Sequence, residues 1–220
     1  MFEGLSYVYI GAAVVGGYLL GSIPFGVIVM RAAGAGDPRA IGSGNIGATN
    51  VLRSGRRDLA LITLLGDGGK GAVAVLIAWL ATRGCDDQAQ ALMTSLAAGA
   101  AFFGHLFPVW LDFRGGKGVA TFFGTLLAAA WPVGLLAGAT WILMAAVFRI
   151  SSLAALTAAV LAPVYVFVLH RPHPVLVLSV AMGALIYLRH AENIGRLLKG
   201  EEPRIGGKKT ADGPQPDSKT

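Results

Sequence analysis

The chain has 220 residues, of which 55% are hydrophobic and 14% are charged, and its mean hydropathy is +0.64. Soluble domains carry about 25% charged residues, so this composition excludes an ordinary water-soluble protein and indicates a membrane protein. Basic cytoplasmic loops explain the formal net charge of +6 better than nucleic-acid binding does, and we expect no nucleic-acid partner.

Long uncharged runs fill most of the chain, and each approaches the roughly 20 apolar residues that cross a bilayer as a helix. The alternating pattern of a membrane β-barrel is missing. The sequence therefore predicts an all-α polytopic membrane protein, a bundle of seven transmembrane helices. Trp131-Pro132, with Gly134 behind it, divides the fourth helix from the fifth. The predicted helices lie at about 5–29, 58–81, 88–108, 117–130, 132–148, 152–169 and 173–189.

Basic residues accumulate in alternate loops. With the N-terminus outside, only Arg83 and Arg171 fall on the outer side, and Lys70 lies within the second helix. The positive-inside rule therefore predicts an outside N-terminus and a cytoplasmic C-terminus. We expect residues 1–200 to form the membrane domain and residues 201–220 to form a flexible cytoplasmic tail.

Small residues predict close helix packing in two places. Gly17 and Gly21 form a GxxxG step in the first helix, and Gly134 and Gly138 form another. We assign these steps to packing within one chain rather than to a dimer interface, and we expect a monomer.

A glycine-rich segment, GSGNIGATNVLR, occupies residues 42–53 of the first cytoplasmic loop. Glycines let backbone N–H groups turn toward an anion, and Ser43, Asn45 and Arg53 supply side-chain donors. It is not a P-loop, because no Gly-Lys followed by Ser or Thr occurs at the right spacing. On composition alone, a phosphate cradle and a plain flexible loop both stay open.

A second glycine-rich segment, RGGKG at residues 114–118, stands at the mouth of the predicted fourth helix. The helix N-terminus contributes a positive partial charge and Lys117 adds a full one, which favours an anion site. The alternative is an ordinary positive-inside loop in which Lys117 extends toward the lipid headgroups.

Several ionisable residues lie at membrane depth or at its boundary. Asp67 and Lys70 share a helical face, and they form either a functional site or a structural pair. His190 and Asn193 share another face, where His190 is either a proton acceptor or an interfacial residue. His105 has the same ambiguity.

Missing motifs narrow the chemistry. The sequence contains no HExxH metal pair, no G-x-S-x-G elbow and no histidine followed five positions later by aspartate. The single Cys85 lies in a short polar connection away from the basic loops. We therefore expect no metal, no cofactor and no serine or thiol nucleophile.

The motifs in their order resemble the bacterial acyl-phosphate-dependent glycerol-3-phosphate acyltransferase family (the PlsY family). The family commonly has an arginine where this chain has Ala191 and often a lysine where it has Gly195, while His190 and Asn193 are present. The matching segments cover nearly the whole chain and lie at residues 21–26, 42–50, 104–109, 115–118, 152–154, 192–194 and 197–203.

The resemblance implies that an acyl group passes from acyl phosphate to the 1-position of glycerol 3-phosphate. The products would be lysophosphatidic acid and phosphate, an early step of phospholipid biosynthesis. It also implies a bacterial inner-membrane enzyme whose site faces the cytoplasm, with acyl phosphate, glycerol 3-phosphate and membrane lipid as partners. A membrane transporter for phosphate-bearing solutes is the alternative.

The resemblance and the loop motifs together assign the site residues. The catalytic residues assigned are Ser43, His190 and Asn193. The substrate-binding residues assigned are Asn45, Asn50, Arg53, Gly115, Gly116, Lys117, Gly118 and Ser152.

Overall fold

A computed structural model describes residues 7–206 of the chain, and every regular element within that range is a helix. This confirms the all-α prediction. The α-helices are α1 (Tyr7–Gly21), α2 (Phe25–Ala32), α3 (Ala48–Leu52), α4 (Arg57–Ala81), α5 (Asp87–Leu106), α6 (Val119–Ala129), α7 (Trp131–Phe148), α8 (Ser151–Val168), α9 (His173–Arg189) and α10 (Ala191–Leu198). Two short 3₁₀ turns lie at Pro38–Ala40 and Val109–Leu111.

The helices have the length and apolarity of a polytopic membrane bundle. Five stretches are long and apolar enough to cross a bilayer, and a sixth is obtained if α9 and α10, bent by 64°, form one span. Helix α6 has 11 residues, so it is about 16 Å long, shorter than the roughly 30 Å hydrocarbon core. The count of seven spans and the sides on which the termini lie therefore stay predictions. The five stretches are Tyr7–Ala32, Arg57–Ala81, Asp87–Leu111, Trp131–Phe148 and Ser151–Val168.

The first predicted helix is not continuous, which corrects the interpretation of residues 5–29 as one straight span. The structure breaks it between Gly21 and Phe25, because Pro24 has no N–H and its ring clashes with the carbonyl one turn earlier. The carbonyl of Ile23 accepts a hydrogen bond from Lys70 Nζ at 2.8 Å. Residues 5 and 6 lie outside the described part of the chain.

The other predicted helices agree with α4 to α9 to within two residues at each end. The division at Trp131-Pro132 is confirmed, since α6 ends at Ala129 and α7 begins at Trp131. A methyl group on Gly134 would lie 2.5 Å from a backbone nitrogen of α6, so the glycine lets the two helices meet at this turn.

Helix α5 packs against α1, α4, α6 and α9. A methyl group at Gly21 would lie 2.0 Å from a backbone oxygen of α5, and one at Gly104 would lie 2.3 Å from a backbone oxygen of α1. The step formed by Gly17 and Gly21 therefore packs within the chain, as predicted, whereas Gly138 has no atom within 4 Å of such a methyl group.

The main core lies where α5, α6 and α9 meet, around Phe102, Phe122, Leu126 and Met182, each at most 1% exposed. Large apolar side chains on the outer faces of the helices are exposed, for example Leu143 and Phe167. Lipid is the solvent that suits such a surface.

Candidate functional site

The two glycine-rich segments line a single open cleft of about 720 Å³. On the side of the first segment, the cleft is lined by Asp37, Arg39, Ala40 and Gly44. On the other side it is lined by Phe113, Arg114, Gly115 and Arg189. Three guanidinium groups therefore face the same volume. Such groups match the geometry of phosphate and carboxylate oxygens, so the cleft suits an anion.

Asn50 organises the first glycine-rich segment. Its side chain is buried, and its Nδ2 donates to the carbonyl oxygens of Pro38, Ile41 and Asn45 at 2.7, 3.1 and 2.7 Å. Its Oδ1 accepts from the backbone N–H of Ser43 at 3.0 Å and from the Ser43 hydroxyl at 3.3 Å. These bonds engage both ends of the amide, so Asn50 shapes the loop from inside.

The remaining residues assigned in this segment lie around Asn50. Ser43 and Arg53 are exposed, and Arg53 Nη1 lies 3.5 Å from Asn50 Oδ1. Asn45 Oδ1 accepts from the backbone N–H of Gly47 at 2.9 Å. Gly42 has φ +55°, and a methyl group there would lie 2.4 Å from Asn50 Oδ1. Only glycine fits this tight turn, which presents Ser43 and Arg53 to solvent.

Asp37 holds two arginines at the edge of the cleft. Arg39 donates to both carboxylate oxygens, at 3.0 and 2.8 Å, and Arg31 Nη2 donates at 2.8 Å. The hydrogen bonds from Arg39 keep the pKa of the Asp37 carboxyl well below its usual value. The carboxylate is thus ionised, and it fixes the direction of the Arg39 side chain.

The second glycine-rich segment is held from two sides. The backbone N–H of Gly116 donates to the carbonyl of His105 at 3.1 Å. Arg189 donates through Nη2 to the carbonyl of Gly115 at 2.9 Å and through Nε to that of Gly116 at 3.2 Å. Gly118 has φ +84° and precedes the first turn of α6. These bonds fix the segment, with Lys117, beside the N-terminus of α6, where an anion is stabilised.

Lys117, Asn193 and Ser152 come together around a carboxylate. The Lys117 ammonium donates to Asn193 Oδ1, and Asn193 Nδ2 donates to Glu202 Oε1. The Ser152 hydroxyl donates to the same Glu202 oxygen at 2.7 Å, and Arg196 Nε donates to the other at 2.7 Å. Three of the residues assigned from sequence thus form one hydrogen-bonded network with Glu202 and Arg196.

Burial affects the two ends of this network differently. It lowers the pKa of the half-buried Lys117 ammonium. It also opposes ionisation of Glu202, but the hydrogen bonds from Asn193, Ser152 and Arg196 outweigh that effect and lower the pKa of the carboxyl. Glu202 is therefore an anion that accepts hydrogen bonds from Asn193, Ser152 and Arg196.

Glu202 joins the network of assigned residues, and the motif reasoning missed it because we expected the tail to begin at residue 201. Its side chain is 6% exposed, and Arg149 bonds both backbone groups of Ile205 close by. The site therefore extends past residue 200. The available signal was the resemblance itself, which continued through Pro203. Residues 207–220 of the expected tail lie outside the described range.

His190 lies at the bend between α9 and α10 and is 3% exposed. Its Nδ1 atom is 2.8 Å from the carbonyl oxygen of Ile186. Because a carbonyl oxygen only accepts, Nδ1 carries the proton in this contact and Nε2 is the acceptor of the neutral ring. His190 thus has the tautomer that a proton acceptor or an orienting group needs.

The assigned residues fall into two groups. One is the Asn50 loop, with Ser43, Asn45 and Arg53, and the other is the glycine segment with the Lys117 network and His190. Of the assigned residues, Gly115 lines the cleft directly, and Gly44 of the first segment lines it on the other side. Among residues 7–206, no group of three or more His, Cys, Asp or Glu side chains is close enough to hold a metal ion.

A family model described as glycerol-3-phosphate acyltransferase matches residues 11–200 of the chain. A glycerol-3-phosphate acyltransferase from Caulobacter vibrioides is 63% identical over 216 residues, covering 97% of each chain. One from Rhodospirillum rubrum is 58% identical over 203 residues, covering 92% of this chain and 94% of the relative.

Two solved structures have the same fold. Both are crystal structures of PlsY, an integral membrane glycerol 3-phosphate acyltransferase. The glycerol 3-phosphate form is 37% identical with a TM-score of 0.81, covering 90% of this chain and 96% of that one. The lysophosphatidic acid form is 36% identical with a TM-score of 0.80, covering 90% and 95%.

Proposed function

Since the chain belongs to the glycerol-3-phosphate acyltransferase family, an integral-membrane family, we propose that it acylates glycerol 3-phosphate with acyl phosphate as the donor. The acyl group goes to the 1-position, and the products are 1-acylglycerol 3-phosphate, which is lysophosphatidic acid, and inorganic phosphate. The family favours this reaction over the transport of phosphate-bearing solutes. The enzyme acts as a monomer, without a cofactor.

One observation supports the proposal: the two glycine-rich segments line a single cleft through Gly44 and Gly115, together with the guanidinium groups of Arg39, Arg114 and Arg189. Arg53 and Ser43 are presented by the loop around Asn50, and Lys117 stands beside the glycine segment. A reaction between two phosphorylated substrates needs two such sets at short range. We assign the glycine segment with Lys117 to the acyl phosphate and Arg53 to glycerol 3-phosphate.

The chemistry needs little from the protein besides positioning and charge. An acyl phosphate is an activated mixed anhydride, so holding its carbonyl near an alcohol and stabilising the developing oxyanion lower the barrier. The 1-hydroxyl oxygen attacks the acyl carbon, and the bond from that carbon to the phosphate oxygen breaks. The hydroxyl proton passes to an oxygen of the departing phosphate of the acyl phosphate and leaves as part of inorganic phosphate. His190 and Asn193 orient the glycerol.

The acyl chain lies toward the bilayer. An apolar cleft of about 420 Å³ opens between α2 and the 3₁₀ turn Val109–Leu111, and Arg31 stands at its edge. Arg31 also bonds Asp37, which lines the polar cleft. The apolar cleft is therefore beside the polar one and suits methylene groups. Its other lining residues are Ile23, Pro24, Val27, Ile28, Trp110 and Leu111.

We place the enzyme in the bacterial inner membrane, with seven spans, an outside N-terminus and the cleft facing the cytoplasm. Arg39, Arg114 and Arg189 line the cleft, and the positive-inside rule assigns such a basic end to the cytoplasm. Glycerol 3-phosphate then reaches the cleft from the cytosol.

The test compares donors. Purified protein given palmitoyl phosphate and glycerol 3-phosphate should release phosphate and form lysophosphatidic acid in equal amounts, whereas palmitoyl-CoA should not replace palmitoyl phosphate. Turnover with palmitoyl-CoA alone would overturn the donor assignment. Flux of glycerol 3-phosphate into sealed vesicles without product would overturn the enzymatic function.

A further inference from the structure

A cluster of titratable side chains is buried beneath the glycine segment. Asp67, Lys70 and His105 are each at most 3% exposed. Lys70 Nζ donates to Asp67 Oδ1 at 2.8 Å, and His105 Nδ1 stands 3.5 Å from the same oxygen. Burying ionisable groups at membrane depth is costly, so a retained cluster indicates a function.

The cluster contacts three neighbouring segments, of which the glycine segment lines the polar cleft. Lys70 Nζ also donates to the carbonyl of Ile23, at the break between α1 and α2. The Thr121 hydroxyl, on the first turn of α6, donates to the carbonyl of Asp67 at 2.9 Å. The backbone carbonyl of His105 accepts a hydrogen bond from the backbone N–H of Gly116. Asp67 thereby joins α4 to the start of α6, and through its partners it reaches the glycine segment.

His105 lies directly under that segment. A methyl group on Gly116 would be 2.2 Å from His105 Nε2 and 2.9 Å from the neighbouring ring carbon. The Nε2 edge of the ring therefore abuts the loop backbone while the Nδ1 edge faces Asp67. Among the described residues Nδ1 makes no hydrogen bond, and it stands 3.5 Å from the Asp67 carboxylate.

We propose that His105 is a positioning residue for the acyl phosphate, and this inference rests on the proposed function. Asp67 orients the imidazole, and the ring and carbonyl of His105 hold the backbone of Gly116, which places the adjacent Lys117 at the donor's phosphate. His105 acts only through the loop. Its loss displaces one phosphate subsite and leaves the Asn50 loop, which binds the acceptor, in place.

The experiment uses purified full-length protein with His105→Leu, His105→Asn and His105→Gln. The amide nitrogen of asparagine reaches about as far as Nδ1 and can donate to Asp67, whereas that of glutamine extends toward the position of Nε2. Each variant is tested with palmitoyl phosphate and glycerol 3-phosphate, with inorganic phosphate as inhibitor and with thermal unfolding.

His105→Leu should raise the KM for palmitoyl phosphate and the inhibition constant of phosphate together, by about tenfold to a hundredfold. The KM for glycerol 3-phosphate and the Tm should stay near wild type. In His105→Asn, the KM for palmitoyl phosphate and the inhibition constant of phosphate should return close to their wild-type values. In His105→Gln they should stay raised. If His105→Leu does not fold, the difference in these constants between His105→Asn and His105→Gln tests the inference instead.

Equal rises in both KM values together with a lower Tm would show a structural role only and overturn the inference. An unchanged KM for palmitoyl phosphate in His105→Leu, or equal behaviour of the Asn and Gln variants, would also overturn it. Failure of the wild-type protein to use palmitoyl phosphate is a different outcome, and it would refute the proposed function.

Discussion

Lys117 and Asn193, 76 residues apart in the sequence, are joined by a hydrogen bond from the ammonium to the amide oxygen. The amide nitrogen of Asn193 then donates to the Glu202 carboxylate. An amide has an acceptor at one end and a donor at the other, so it fits between a cation and an anion. A carboxylate of the same shape cannot make the second contact.

Asn193→Asp should therefore reduce kcat/KM for acyl transfer by about 10²- to 10³-fold, since a preorganised donor is lost and two carboxylates are brought together. The control is Glu192→Gln, which removes a charge from an 89% exposed side chain on the same helix. Steady-state rates of phosphate release give kcat/KM for Asn193→Asp and for Glu192→Gln. Activity of Asn193→Asp equal to that of the control would mean that the amide is not part of the site.

The pH dependence should report Lys117. Its ammonium is charged below its pKa, and burial lowers that pKa from the ordinary lysine value of about 10.4. As the pH rises through the lowered pKa, the charge and the phosphate contact are lost. The basic limb of kcat/KM for palmitoyl phosphate should therefore start at a lower pH than an ordinary lysine would give.

Lys117→Arg is the matched variant for this limb, because a guanidinium stays charged throughout the accessible range. In this variant the fall of kcat/KM at basic pH should disappear or move to higher pH, even if the maximal rate falls. The rates need correction for spontaneous hydrolysis of the donor. An unchanged limb in Lys117→Arg would assign it to another group.

The helices could be predicted well because uncharged runs end at Gly, Pro and charged residues, so α4 to α9 begin and end close to the expected positions. Gly17 and Gly21 likewise predicted packing correctly. The break at Pro24 was missed since the apolar run continues through it. Proline in a helix interior is nevertheless the physical signal for such a break.

The site was harder to predict where it depends on contacts between distant elements. Asp67 and Lys70 share a helical face, and the structure confirms that they pair. His105 joins them from another helix, which spacing along the chain cannot reveal. The Glu202 side chain is 6% exposed while its neighbour Glu201 is exposed, and nothing local distinguishes the two. Such residues are identified by packing rather than by pattern.

Arg53→Ala should raise the KM for glycerol 3-phosphate with a smaller effect on the KM for palmitoyl phosphate. Arg53 is exposed beside Asn50 and Gly42, so its loss removes a charge without leaving a cavity in the loop. Removal of one preorganised charge should lower kcat/KM by about 10²-fold. Arg57→Ala, an exposed arginine on the first turn of α4, is the control. An unchanged KM for glycerol 3-phosphate would refute the assignment of Arg53.

Gly116→Ala should weaken use of the acyl phosphate. The added methyl group would lie 2.2 Å from His105 Nε2, so either the loop or the imidazole must move. A displacement of about 1 Å at a positioned substrate can cost about 10²-fold in rate. Gly138→Ala is the control, since that position has no atom within 4 Å of the new methyl group. Initial rates over a range of palmitoyl phosphate concentrations measure the effect, and equal kinetics for the two variants would contradict it.

The buried pair of Asp67 and Lys70 makes a prediction about stability. Lys70→Met leaves the Asp67 carboxylate buried without its cation, and removing one member of a buried pair costs about 3 to 5 kcal/mol. For a chain of this size the Tm should fall by about 10 °C. Replacing both residues, Asp67→Asn with Lys70→Met, removes the unbalanced charge. The double variant should therefore have a higher Tm than Lys70→Met alone, as measured by thermal unfolding in detergent. A double variant less stable than the single one would show that the Asp67 carboxylate stabilises this part of the bundle through a group other than Lys70, such as His105.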